Sequence, residues 1–450
     1  MKKGLSVLAV TLLFVFLLSG CFSNNRNENS QQNVSDGNSG GGTESTEITF
    51  LVLDAWAEQA KKVIEAFEAE NPDIKVKVEV QPFSQIFEAI EVQMKSGKTS
   101  FDVFPVDSPL TTNYAIKGFL APLDPYFDDS MKTLWLDTAL QAGTYNGQLM
   151  SAPMNTSSQV LFYNKDLFEQ RGVTPPPSDD PSHRWTWEQL VEAAKQLTYD
   201  TNDDGTPDIY GFSFDQIDRP YQLLPLGQSL GAEQVISDDG LVSKGYTNSE
   251  SMVQGSIFYY DLFNTWKVSP KIPQELSRDY FKTGKVAMFL GTTATMHIFK
   301  DKINLGVSYH PYFEGKKVVT PTGSWHLGIS AYSNKKEAAG KFIQFFSVGK
   351  GAEIWLKEYG QIPALKSLLK TLNEQVEPGS IESQVFKIAS YEVENTAVLR
   401  PRTPGYLEWE SILRSAFEDI KNGADPKTAL DNAVEIIDKQ LVKYKSAVKP

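Results

Sequence analysis

The chain has one cysteine, Cys21. No disulfide within the chain is available, so core burial must hold the fold together. Histidine is nearly as scarce: His183, His297, His310 and His326 stand in no HExxH or other short ligand spacing, which argues against tightly specified zinc chemistry. Neither a G-x-S-x-G elbow nor a P-loop occurs, so two common routes to covalent or phosphate chemistry are missing. Basic residues are outnumbered, 43 against 56 acidic ones, for a formal charge of -13. That balance argues against nucleic acid as a principal partner. Beyond residue 18 no apolar run approaches membrane-spanning length.

What is present begins with a cationic end, Lys2 and Lys3, followed by an apolar run from Leu5 to Leu18 and then Leu18-Ser19-Gly20-Cys21. A charged start, a short apolar core and a small-residue cleavage site predict a signal peptide over 1–20 and not a spanning helix. Leu18-Ser19-Gly20-Cys21 resembles the lipobox of bacterial lipoproteins. The resemblance implies that Cys21 becomes the mature N-terminus, carries acyl chains such as palmitate, and anchors the protein to the extracytoplasmic face of the cell membrane. Residues 21–46 are Asn, Ser, Gln and Gly with few apolar residues, including Gly40-Gly41-Gly42. Such a stretch cannot bury enough surface to order itself and reads as a flexible tether. The remaining four hundred or so residues exceed one compact core and predict two lobes.

Ile48 to Asp54 reads as a buried strand, and Ala60, Val63, Ile64 and Phe67 fall at helical spacing until Asn71-Pro72. Ile74, Val76, Val78 and Val80 then alternate with polar residues, Ile86, Ile90 and Met94 mark a second helix ending at Gly97, and Phe101 to Val106 supplies a third strand. This βαβαβ order predicts an α/β fold with a parallel sheet, whose ligands gather at the carboxyl ends of the strands. Trp56 and Asp107 fall at such ends. Thr186-Trp187-Glu188-Gln189 is a capping box opening a helix through Leu190 and Leu197. Near the end, Trp409, Leu413, Phe417 and Ile420 form one helical stripe, and Asp425-Pro426 opens another.

Several motifs, in order, resemble one family. Tyr145-Asn146-Gly147 to Pro153, Leu161-Phe162-Tyr163-Asn164-Lys165-Asp166-Leu167-Phe168, Phe281-Lys282-Thr283-Gly284-Lys285-Val286-Ala287-Met288, Gly323-Ser324-Trp325, Gly360-Gln361-Ile362-Pro363 and Gly423-Ala424-Asp425-Pro426 are similar to segments of the maltose-binding-protein-like extracellular solute-binding proteins that feed ABC importers. The resemblance implies a two-lobed periplasmic-binding-protein-like fold of type II with the ligand cleft between the lobes. Lobe one is expected over 47–158 with 311–352, and lobe two over 159–310 with 353–450. It further implies a monomer that captures a sugar or oligosaccharide by hinge closure and delivers it to permease subunits, without catalysis and without a required cofactor.

A sugar offers mildly apolar ring faces and many hydroxyls, so its site needs aromatic faces together with fixed donors and acceptors. With 8 Trp, 18 Tyr and 26 Phe there is no shortage of the former. Trp56, Asp107, Asn155, Trp325 and Tyr406 are the expected ligand residues at inter-lobe loops. Arg402, with Arg400 in the same Pro-interrupted segment, is expected beside Tyr406. Asp200-Thr201-Asn202-Asp203-Asp204-Gly205-Thr206-Pro207-Asp208 has the opening pattern of an EF-hand-like loop and predicts a structural calcium ion on Asp200, Asn202, Asp204 and Asp208, although Gly211 stands where the twelfth-position Glu belongs. Paired carboxylates for glycoside hydrolysis leave no fixed spacing in a sequence. A surface-anchored glycosidase or lyase, or an adhesive lipoprotein, therefore stands as an alternative at this point.

Overall fold

Residues 45–448, with the exception of 324, are described by the computed structural model. The predicted signal peptide, Cys21 and the tether up to residue 44 lie outside the described residues. The tether was expected to run to residue 46, but the first strand is Thr46–Leu53. The Thr46 amide already donates to the Asp73 carbonyl at 2.8 Å, and this pairing starts the sheet.

The βαβαβ opening forms as the periodicity requires. Strand Thr46–Leu53 leads to helix Ala57–Glu70, strand Ile74–Gln81, helix Phe83–Lys95 and strand Val103–Asp107. The helices bury Ala60, Val63, Ile64 and Phe67, and Ile86, Ile90 and Met94. The strand Thr46–Leu53 runs parallel to both Ile74–Gln81 and Val103–Asp107. Three further strands complete this first sheet, of which only Trp325–Ser330 runs against the direction of the others. Trp325–Ser330 lies between Val103–Asp107 and Leu120–Ala121, and also pairs with Ala152–Pro153.

A second sheet has the order Leu305–Ser308, Gln159–Asn164, Val286–Thr292, Tyr210–Phe214. Gln159–Asn164 is buried along its whole length and is antiparallel to both neighbours. Capping at Thr186 is reciprocal: its hydroxyl accepts from the Gln189 amide at 3.2 Å, and the Gln189 side chain accepts from the Thr186 amide at 2.9 Å. Helices Glu250–Asn264, Tyr406–Asn422 and Pro426–Leu441 pack on one another in this lobe.

The chain crosses between the sheets after Pro153 and returns after Ser308. These crossings lie side by side. The Thr156 amide donates to the Ile362 carbonyl at 2.8 Å, the Thr322 hydroxyl donates to the Ser157 carbonyl at 2.8 Å, and Thr320–Pro321 pairs with Ala397–Val398. Residues from 353 onward were expected in lobe two. Instead 353–359 continue the helix Lys350–Tyr359, which packs on Ala57–Glu70 and Lys336–Val348 beside the first sheet. The packing changes later, at helix Ile381–Asn395, which lies against Leu305–Ser308 and Gln159–Asn164. Among the described residues no helix is long and apolar enough to cross a membrane.

Candidate functional site

The carboxyl ends of strands from both sheets open onto one cleft of about 550 Å³, within the range of small-molecule sites. Its first-sheet wall carries Leu53, Asp54, Trp56, Phe83, Asp107 and Trp325. The second-sheet wall carries Asp215 and Gln216, just past Tyr210–Phe214, then Arg219, Gln274, Arg278 and Thr292. Crossing segments supply Asn155, Ser157, Gly323, Gln361 and Arg400 at the base.

Trp325 is the first residue of its strand and is half-buried. Phe87 stacks on it with ring centroids 6.1 Å apart and planes 11° apart. Phe83 and Trp56 meet it edge-on, at 6.3 Å and 5.0 Å. Such offset and edge contacts fix an indole plane. Trp56 itself is 2% exposed, and its indole N–H donates to the Tyr359 hydroxyl at 3.0 Å. It therefore buttresses Trp325 and presents little free face. Asn155 also positions Trp325, since its side-chain oxygen accepts from the Trp325 amide at 3.0 Å while its NH2 group donates to Gln361. Gly323 is needed for close approach: a Cβ there would sit 3.1 Å from both Ser157 Oγ and the Tyr221 hydroxyl.

Asp107 ends its strand, is buried, and accepts from both terminal nitrogens of Arg400. Arg219 lies 3.9 Å from the same carboxylate and makes a two-pronged bond to Glu410. Burial works against the charge of Arg400, yet Asp107 holds the guanidinium above even its usual range. Tyr406 was expected in a ligand loop. It is instead the first residue of helix Tyr406–Asn422, 1% exposed, packed on Trp409 and donating to Glu410 at 3.1 Å. Burial and then Glu410 raise its phenol above the ordinary range. It supports the Arg219–Glu410 pair from behind and does not line the cleft. Arg402 also lies outside the cleft. It lines a separate cavity with Gln228, Glu233 and Asp238, and Arg400, two residues earlier, takes the cleft position. Of the expected ligand residues, Trp56, Asp107, Asn155 and Trp325 are thus brought together, and Arg402 and Tyr406 are not.

Phe83, Gln216, Arg219, Gln274 and Arg278 were not anticipated. The rule that ligands gather at strand carboxyl ends points to Gln216 once Tyr210–Phe214 is recognised as a strand.

In the loop from Asp200 to Asp208, residues 201–206 are exposed and Asp200, Pro207 and Asp208 are half-buried. Asp200 accepts from the amides of Asn202, Asp203 and Gly205 at 2.7–3.0 Å, Asn202 from that of Asp204 at 2.9 Å, and Asp208 from Thr201. The Thr201 hydroxyl, then its amide, lowers the Asp208 carboxyl below its ordinary range. Among the described residues no group of three or more His, Cys, Asp or Glu side chains converges as a metal site requires.

Two α/β lobes joined by adjacent crossings, with a cleft between them that sets aromatic faces against polar side chains, have the architecture of a protein that holds a small solute. The sequence profile of the bacterial extracellular solute-binding proteins matches residues 54–348, and the chain belongs to that family, which supplies the substrate-binding subunits of ABC importers. It is a solute-binding protein and not a glycosidase or lyase. The galactooligosaccharide-binding protein of Bacillus subtilis (strain 168) is 24% identical over 384 residues, spanning 83% of this chain and 85% of its own. The structure of an ABC substrate-binding protein from Listeria monocytogenes in complex with cycloalternan is 27% identical, with a TM-score of 0.75 over 88% of this chain and 99% of its own. A maltose-bound protein from T. maritima is 24% identical, with a TM-score of 0.70 over 89% and 100%.

Proposed function

We propose that this protein is the substrate-binding subunit of an ABC importer for a sugar or oligosaccharide. The observation that carries the reading is Trp325, an indole fixed by Phe87 and Trp56 on the cleft wall and facing a wall of polar side chains. An apolar plane opposite hydrogen-bonding groups suits a sugar ring, which is apolar on its faces and polar at its edges. The relatives known to bind oligosaccharides support it. The lobes, about 47–158 with 311–359 and 159–310 with 381–450, close about the crossing segments, and permease subunits receive the closed form. Cys21 carries the lipid that holds the monomer at the membrane, on the strength of the Leu-Ser-Gly-Cys ending. Membrane retention and normal processing of a Cys21→Ser variant would overturn that anchor. The calcium reading of Asp200, Asn202, Asp204 and Asp208 is a proposal from the sequence, on the strength of the spacing of their oxygen-bearing side chains. An unchanged melting temperature in chelator, with no heat on calcium titration, reduces it to a turn.

Thermal shift across mono- and oligosaccharides tests the main reading, because an occupied site raises apparent stability by mass action. Stabilisation by an oligosaccharide without appearance of products supports it. A flat response across the panel sinks it.

A further inference from the structure

Negative charge on the cleft lining exceeds positive. Arg219, Arg278 and Arg400 line the cleft, and each is matched from within the chain. Arg400 is held by Asp107, Arg219 by Glu410, and Arg278 by both oxygens of Asp215 at 2.7 and 3.1 Å. Asp54 and Glu275 line the same cleft and are both exposed. Neither has a cationic partner among the described residues. Asp54 accepts only from the neighbouring Ala55 amide, at 2.8 Å.

The two carboxylates stand on opposite walls. Asp54 follows the strand Thr46–Leu53 of the first sheet, and Glu275 lies in the first turn of helix Gln274–Lys282, which packs on the second sheet. Water satisfies both while the cleft is empty. Walls that draw together on a ligand take that water away, and a carboxylate that loses water without gaining a counter-charge is strongly disfavoured. The guanidinium groups are committed, so the compensating charge has to arrive with the ligand. Phe83, 48% exposed, and the half-buried Trp325 place aromatic rings on the same cleft lining. A ring face attracts a cation as well as the apolar side of a sugar.

We infer that Asp54 and Glu275 are specificity-determining residues that select a saccharide bearing a protonated amine, whose charge they meet from opposite walls while its rings lie against Phe83 and Trp325. The inference rests on the saccharide reading above and adds the charge of the ligand and the groups that read it. An acidic sugar meets the opposite field and is rejected.

The test is calorimetric titration of the mature chain, at slightly acid pH, with three trisaccharides of one backbone. These are cellotriose, which carries hydroxyls; the trimer of N-acetylglucosamine, which carries neutral amides; and the trimer of glucosamine, which carries protonated amines. Galactooligosaccharide and maltotriose serve as neutral probes of other linkage. Wild type, Asp54→Asn, Glu275→Gln and the double variant are compared, and the ligand-free melting temperature confirms that each is folded. Wild type is expected to bind the glucosamine trimer at least about tenfold more tightly than the best neutral probe at low salt. That lead should shrink in about 1 M salt, where charges are screened within a few ångströms. Each single variant is expected to cut the lead roughly three- to tenfold without changing the ligand-free melting temperature. A lead that survives in the double variant overturns the inference. So does wild type that binds any neutral probe as tightly as the glucosamine trimer, and in both cases the saccharide reading still stands. If no saccharide binds wild type, the saccharide reading fails and takes the inference with it.

Discussion

Trp325 owes its orientation to Phe87, Trp56 and the Asn155 side chain, so its contribution to binding is pre-organised. Trp325→Ala is expected to lower affinity for the cognate saccharide by about 1–3 kcal/mol, the range for a ring stacked on an aromatic side chain, which is roughly ten- to a hundredfold. Titration of folded mutant protein checks this, and wild-type affinity would make Trp325 a packing residue. His310 and His326 are fully buried. Burial pushes His310 down to about 3 and His326 down to about 4, from an ordinary value of 6.5. Between pH 6.5 and 4 the unfolded chain takes up protons that the folded chain refuses, so their contribution to stability is present above pH 6.5 and is lost as pH falls through that window. The loss is on the order of 3 kcal/mol per histidine. Urea unfolding at pH 7 and pH 4.5 should show a lower midpoint at the acid end, with a smaller change in His310→Gln. Equal midpoints for wild type would refute the account.

At the scale of elements, helices Pro220–Ser229 and Glu250–Asn264 approach each other through facing glycines. A Cβ on Gly255 would lie 2.6 Å from the Gly227 nitrogen and 2.8 Å from the Leu226 carbonyl carbon. Backbone atoms cannot rotate away, so the helices must part. Gly255→Ala gains up to about 1 kcal/mol of helix propensity but overpacks, typically at about 1–3 kcal/mol. A net loss of about 1–2 kcal/mol in chemical denaturation is expected, and a more stable variant would show that the pair can spread. Elements with strong periodicity were legible in the sequence. Val63 and Phe67, or Trp409 and Phe417, report a buried face by spacing alone. The site was half legible for a physical reason. Trp56 and Asp107 follow strands that the pattern reveals, whereas Gln216 and Gln274 are isolated polar residues whose place depends on strands and helices far away in sequence. Arg400 and Arg402 are two residues apart in an irregular segment, where spacing does not decide which one faces the cleft.

For the whole molecule, walls built on different sheets mean that ligand contacts on both sides must draw the lobes together. The radius of gyration from small-angle scattering is expected to fall on saturation with a bound oligosaccharide, and to fall less in Trp325→Ala at the same concentration. An unchanged value in saturated wild type would mean that the cleft is already closed without ligand. The insertion of Trp325–Ser330 between Val103–Asp107 and Leu120–Ala121 bears on how the protein is made. That central strand is encoded more than two hundred residues after the neighbours it separates, so the first sheet cannot be completed until about three quarters of the chain exists. Pairings at such distance are slow to form. A polypeptide destined for the outer side of a membrane benefits from arriving there unfolded, and here the delay is written into the order of the strands: the piece that locks the first lobe is the last of its sheet to emerge.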